Sequence, residues 1–107
     1  MRRALTFVVA AVATLAIVAV PATGAGTTVK AKNFKFVAKT VTIQKGSKVT
    51  WKDAEGRHTV TFKDLAFDKV ISANKPTVSK TFRQTGTFRY FCRFHKQLGM
   101  RGKVIVE

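Results

Sequence analysis

The chain has 107 residues, with twenty Lys and Arg against five Asp and Glu, a formal net charge of +15, one cysteine and two histidines. That length holds one ordinary domain, and a single thiol excludes an internal disulfide framework. The charge favours anionic partners, whether nucleic acid, anionic membrane or acidic protein.

Met1, Arg2 and Arg3 precede an almost unbroken apolar run from Ala4 to Val20, and small residues around Ala22 and Ala25 offer cleavage steps. A positive start, an apolar middle and a small-residue exit make a secretory signal peptide. The rival is an uncleaved anchor. A spanning helix needs roughly 20 apolar residues, whereas this run is slightly short and stops at Pro21. The expected organisation is therefore a helical signal peptide over residues 1–25 and one domain over 26–107. The protein is expected to be exported, to the periplasm or the cell surface, and to meet a membrane only if the leader is kept. Export argues against nucleic acid as a partner. Arg2 and Arg3 are the leader's only basic residues, so the positive charge stays with the domain.

Beyond the leader, short runs rich in Val, Thr, Ile and Phe predict strands at 28–32, 40–44, 48–52, 58–62, 77–83, 87–92 and 102–106, with a weaker one at 68–72. Lys45-Gly46-Ser47 and Gln84-Thr85-Gly86 read as tight turns, and 53–57 and 72–76 as polar loops. Lysines alternate with apolar residues along Val29-Lys30-Ala31-Lys32 and Lys48-Val49-Thr50-Trp51-Lys52, the pattern of strands with one wet face. Trp51, Phe62, Phe82, Phe88 and Tyr90 fall where alternation turns them inward. Close-spaced strands without helices predict an all-β, antiparallel sandwich or barrel of about seven to eight strands.

The chemistry concentrates at the end of the chain. Cys92 closes one predicted strand, and His95 and Met100 follow before the last strand opens, giving Cys-x2-His-x4-Met on a single loop. The second histidine, His58, opens an earlier strand just after a polar loop. Taken singly, a cysteine is usually a small buried hydrophobe, a strand-end histidine a structural residue and a methionine part of a core. Together they spend every soft donor of the domain on one loop and one strand end. A thiolate, two imidazoles and a thioether suit both Cu(I) and Cu(II), in the trigonal arrangement with a weak axial methionine used for electron transfer. Structural zinc takes Cys and His without a thioether, and catalytic zinc keeps an open water position.

Tyr90-Phe91-Cys92, His95, Met100 and Gly102-Lys103-Val104 resemble the copper loop of the plastocyanin, halocyanin and amicyanin group of cupredoxins. The four-residue gap before Met100 is similar to plastocyanin and halocyanin more than to amicyanin. Upstream, Asn33-Phe34-Lys35-Phe36, Val41-Thr42-Ile43, Lys45-Gly46, Val49-Thr50-Trp51 and His58-Thr59-Val60 keep that family's order. The resemblance implies a Greek-key β-sandwich binding one type-1 copper ion through His58, Cys92, His95 and Met100. It also implies a carrier of single electrons rather than an enzyme. Electrons would pass at the exposed edge of His95, inside an apolar rim of Phe94, Leu98 and Gly99. The basic surface would then attract redox partners with an acidic docking surface. The alternative is a protein that binds, stores or delivers copper. The chain departs from the family pattern in three features: Phe94 stands where relatives often have proline, Val37-Ala38 where many have proline soon after the first Phe-x-Phe, and Thr59 where many have an asparagine that braces the loop.

Overall fold

Residues 26–107 are described by a computed structural model, so the leader and its expected helix lie outside the described residues. The alternating runs become nine strands: β1 (Gly26–Lys32), β2 (Lys35–Val37), β3 (Thr40–Ile43), β4 (Lys48–Asp53), β5 (His58–Phe62), β6 (Phe67–Ile71), β7 (Thr77–Thr81), β8 (Gly86–Phe91) and β9 (Arg101–Val106). Two single 3-10 turns, Lys63–Leu65 and Lys96–Leu98, interrupt them. Eight of the nine strands lie where apolar alternation places them. The exception is β2, whose three residues bury only Phe36.

The strands form a four-stranded sheet ordered β2-β1-β4-β7 and a five-stranded sheet ordered β3-β9-β8-β5-β6. Alternate residues of both turn inward. Val29, Ala31, Val49 and Trp51 from the first sheet meet Val60, Phe62, Tyr90, Val104 and Val106 from the second, and Ile43, Phe36 and Phe82 close the ends. Four of the five aromatics expected inside are buried, and Phe88 is half-buried against the same core. The lysines of β1 and β4 stay in solvent, as the alternation requires.

The all-β sandwich is as expected, and its pairing is antiparallel in five of the seven strand pairs among the described residues. β1 pairs with β4 in parallel, and β3 pairs with β9 in parallel. Parallel neighbours need a crossover rather than a hairpin. Here the chain supplies it by changing sheets after β2 and again after β3, so β4 returns beside β1 in the same direction.

This topology gathers the candidate ligands at one end. β5 and β8 are neighbours, so the start of β5 (His58) and the end of β8 (which leads into Cys92) fall side by side.

Candidate metal centre

His58 is the first residue of β5 and is buried. Its Nε2 lies 2.7 Å from the Glu55 carbonyl oxygen. A carbonyl only accepts, so Nε2 carries the proton and donates it, leaving the Nδ1 lone pair free as a ligand. The loop can fold this tightly onto the ring because Gly56 sits at φ +81°, and a Cβ there would stand 3.4 Å from Nε2. Asp53 adds a carboxylate oxygen 3.8 Å from the same nitrogen.

Cys92, His95 and Met100 are held by a closed circuit of backbone bonds. The Cys92 N–H donates to the Met100 carbonyl at 3.0 Å, the His95 N–H to the Cys92 carbonyl at 3.3 Å, and the Met100 N–H to the His95 carbonyl at 3.3 Å. The turn at Lys96–Leu98 ends on Gly99 at φ +80°, whose N–H reaches the Lys96 carbonyl. The loop therefore brings Met100 back against Cys92, and both are fully buried.

The Cys92 Sγ lies 3.4 Å from His95 Nδ1 and 4.0 Å from His58 Nδ1. The ligand atoms of the three residues all lie within 4.8 Å of one another, the one such cluster among the described residues. Metal–sulfur and metal–nitrogen bonds of about 2.3 and 2.0 Å, at a trigonal angle, separate the donors by about 3.7 Å. The two observed distances bracket that value, so this donor set fits one shared ion. Burial first, and then the neighbouring His58 ring, lower the His95 imidazole from the ordinary histidine value, a shift in favour of the neutral form that a ligand must take.

Thr59 takes over the bracing expected of an asparagine. Its backbone N–H points at the Cys92 Sγ at 3.4 Å, and its Oγ1 accepts the Arg93 N–H at 2.7 Å. One residue thus touches the sulfur and fixes the loop just beyond it.

Of the rim expected around His95, Phe94 is exposed with its ring centroid 6.4 Å from that of His95, while Leu98 and Gly99, also exposed, line a neighbouring hollow with Phe34. Phe34 lies closer, its ring centroid 4.7 Å from that of His95 in an edge-on contact. Asn33 and Phe34 form the two-residue tip of the β1–β2 hairpin, both with positive φ. That turn favours Asn followed by Gly, so a phenylalanine at φ +58° is strained backbone. The Asn33 N–H is tied to Glu55 Oε1 at 2.8 Å, which binds the tip to the loop preceding His58.

Comparison with known proteins agrees with this geometry. The Cupredoxin-like domain family matches residues 4–106. The chain is 33% identical over 84 residues to the chloroplastic plastocyanin of Tetradesmus obliquus, a match covering 67% of this chain and 58% of that protein. It is 35% identical over 82 residues to the amicyanin of Paracoccus versutus, covering 71% of this chain and 61% of the relative. It thus spans about three-fifths of the length of these two relatives. The crystal structure of amicyanin from Paracoccus versutus superposes with a TM-score of 0.68 at 31% identity, over 77% of this chain and 81% of that one. The chain therefore belongs to the cupredoxin-like family, whose members bind one copper ion.

Proposed function

We propose that this protein is an exported type-1 copper protein that carries single electrons between redox partners and catalyses no reaction of its own. The observation that carries the reading is the buried Cys92 Sγ with two imidazole nitrogens at 3.4 and 4.0 Å. His58 Nδ1, His95 Nδ1 and the Cys92 thiolate would hold the ion, with the Met100 thioether as the weak axial donor. Copper, when bound there, supplies a one-electron couple between Cu(I) and Cu(II).

The chain's own residues do the rest. The Thr59 N–H aimed at Sγ draws charge from the thiolate, a contact of the kind that tunes such sites. The backbone circuit from Cys92 to Met100 fixes the three loop ligands relative to one another, so little needs to move when an electron does. His95 alone of the three clustered ligands is half-exposed, inside the apolar rim of Phe34 and Phe94. That edge is the short way out for an electron, and its rim suits brief docking. Amicyanin and plastocyanin relatives support the carrier reading over copper storage or delivery. The basic surface suits partners with acidic docking surfaces. Residues 1–25 are proposed as the cleaved export signal and 26–107 as the working domain.

The test is the visible spectrum of the purified protein after addition of Cu(II). An intense blue thiolate-to-copper band is expected, and Cys92→Ser should abolish it. A colourless wild-type complex would overturn the assignment.

A further inference from the structure

Asp53 ends β4, where its backbone N–H donates to the Pro76 carbonyl at 2.7 Å and its register partner on β1 is Ala31. The side chain is 6% exposed, and its Oδ1 is buried with no hydrogen-bond partner. A carboxylate so far from water is costly unless it is paired. Yet among the described residues no lysine or arginine pairs with it, in a chain that carries twenty of them. The other acids near the site differ: Glu55 takes the Asn33 N–H, and Asp68 takes Thr61 and Arg93.

What stands beside Oδ1 is the His58 Nε2, 3.8 Å away and itself buried. That distance is too long for a hydrogen bond, and the Nε2 proton already goes to the Glu55 carbonyl. The carboxylate therefore acts on the ring by charge alone. It lies on the Nε2 side, whereas Nδ1 faces the Cys92 sulfur, so Asp53 stands behind the ligand and outside the donor cluster. One thiolate and two neutral imidazoles leave a Cu(II) ion with one net positive charge and a Cu(I) ion with none. A fixed negative charge in a poorly solvated place favours the first of these over the second.

We propose that Asp53 is a positioning residue for the copper couple: its buried carboxylate, acting through the His58 ring, favours the oxidised ion and so lowers the reduction potential. The proposal rests on the copper reading of the site and deepens it. Carboxylates behind ligating imidazoles tune metals in this way, by orienting the ring and raising its basicity. The bound ion's net charge in turn supplies the pairing that no lysine or arginine supplies. A purely structural role for Asp53 would be met as well by asparagine, which keeps the shape and loses only the charge.

The test is the reduction potential of the copper-loaded protein, poised against a one-electron couple and read by the visible band. Asp53→Asn should move the equilibrium toward Cu(I) by roughly tenfold or more, which is about 59 mV upward, with the blue band retained. Asp64→Asn, on the exposed turn after β5, makes the same change in net charge and should move it by about twofold at most, because water and salt screen it. Copper titration of the metal-free proteins closes the cycle: Asp53→Asn should lose Cu(II) affinity roughly tenfold more than Cu(I) affinity. An unmoved or lowered potential, or equal shifts in both variants, overturns the proposal. So does loss of the blue band in Asp53→Asn, which would mean that the carboxylate holds the loop and does not set the couple. Should Asp53→Asn fail to fold, Asp53→Ser, a smaller side chain that also removes the charge, carries the same expectation. A colourless wild type defeats the copper reading and this proposal with it, whereas a blue protein whose potential ignores Asp53 defeats only the proposal.

Discussion

The polar chain behind the copper loop is set by the proton inventory of two threonines. The Thr61 hydroxyl lies 2.7 Å from Asp68 Oδ1 and 3.0 Å from Thr59 Oγ1. It carries one proton, and the carboxylate is the stronger acceptor. The Thr59 hydroxyl then supplies the proton between the threonines, and its oxygen takes the Arg93 N–H. Arg93 Nε closes the circuit on Asp68 at 3.1 Å. Asp68 is thus a positioning residue for the loop, acting through Thr61, Thr59 and Arg93. The Thr61 hydrogen bond first, and then Arg93, hold its carboxyl below the usual aspartate value. A group depressed in the folded state stabilises the fold above its unfolded pKa, about 3.9, and loses that contribution as pH falls through its folded pKa. The urea midpoint of Asp68→Asn should therefore lie below wild type near pH 6, and the gap should close below about pH 4. A gap of constant size from pH 3 to 7 would show that the carboxylate charge is irrelevant. His58, Cys92, His95 and Met100 were legible as candidates because the domain holds no other soft donor. Phe34 was not, because its contact with His95 depends on a positive φ that phenylalanine does not advertise.

At the level of strands, β8 and β9 depend on one close approach. Tyr90 faces Gly102 across the ladder, and a Cβ at Gly102 would stand 2.5 Å from the Tyr90 ring and its oxygen. The ring has nowhere to retreat, with Phe36, Trp51 and Phe62 centroids 4.7, 5.3 and 4.9 Å away. Burial also pushes the Tyr90 phenol up to about 12, so the side chain stays neutral over the whole working range. Gly102→Ala should cost about 1–3 kcal/mol by overpacking, measured by chemical denaturation. A stability unchanged within error would mean that the sheet can open at this register. Gly102 appeared in the sequence only as part of the copper-loop pattern; its packing role needs the partner strand to be seen. Strand positions were legible because burial alternates along each run. Pairing direction was not: nothing in 40–43 or 48–53 records that the chain has crossed between sheets, and β2 is too short to show a period.

For the whole molecule, one quantity drives two opposite salt dependences. Positive side chains outnumber negative ones twenty to five, and among the described residues the ion pair between permanently charged side chains is Asp68 with Arg93. Little attraction offsets the repulsion within the fold, so net charge opposes compaction. Sodium chloride shortens the screening length from about 30 Å at 0.01 M to about 3 Å at 1 M. Screening should therefore raise the urea midpoint of the isolated protein, the reverse of what a fold held by surface ion pairs would show. The same screening removes the field that draws in an acidic partner, so the association rate with an acidic redox protein should fall steeply over that range, while a neutral partner's should hardly change. Stopped-flow mixing and equilibrium unfolding on one salt series separate the two effects. A midpoint that falls with salt would mean that local pairs dominate the fold. An association rate indifferent to salt would mean that docking relies on the apolar rim around His95 alone.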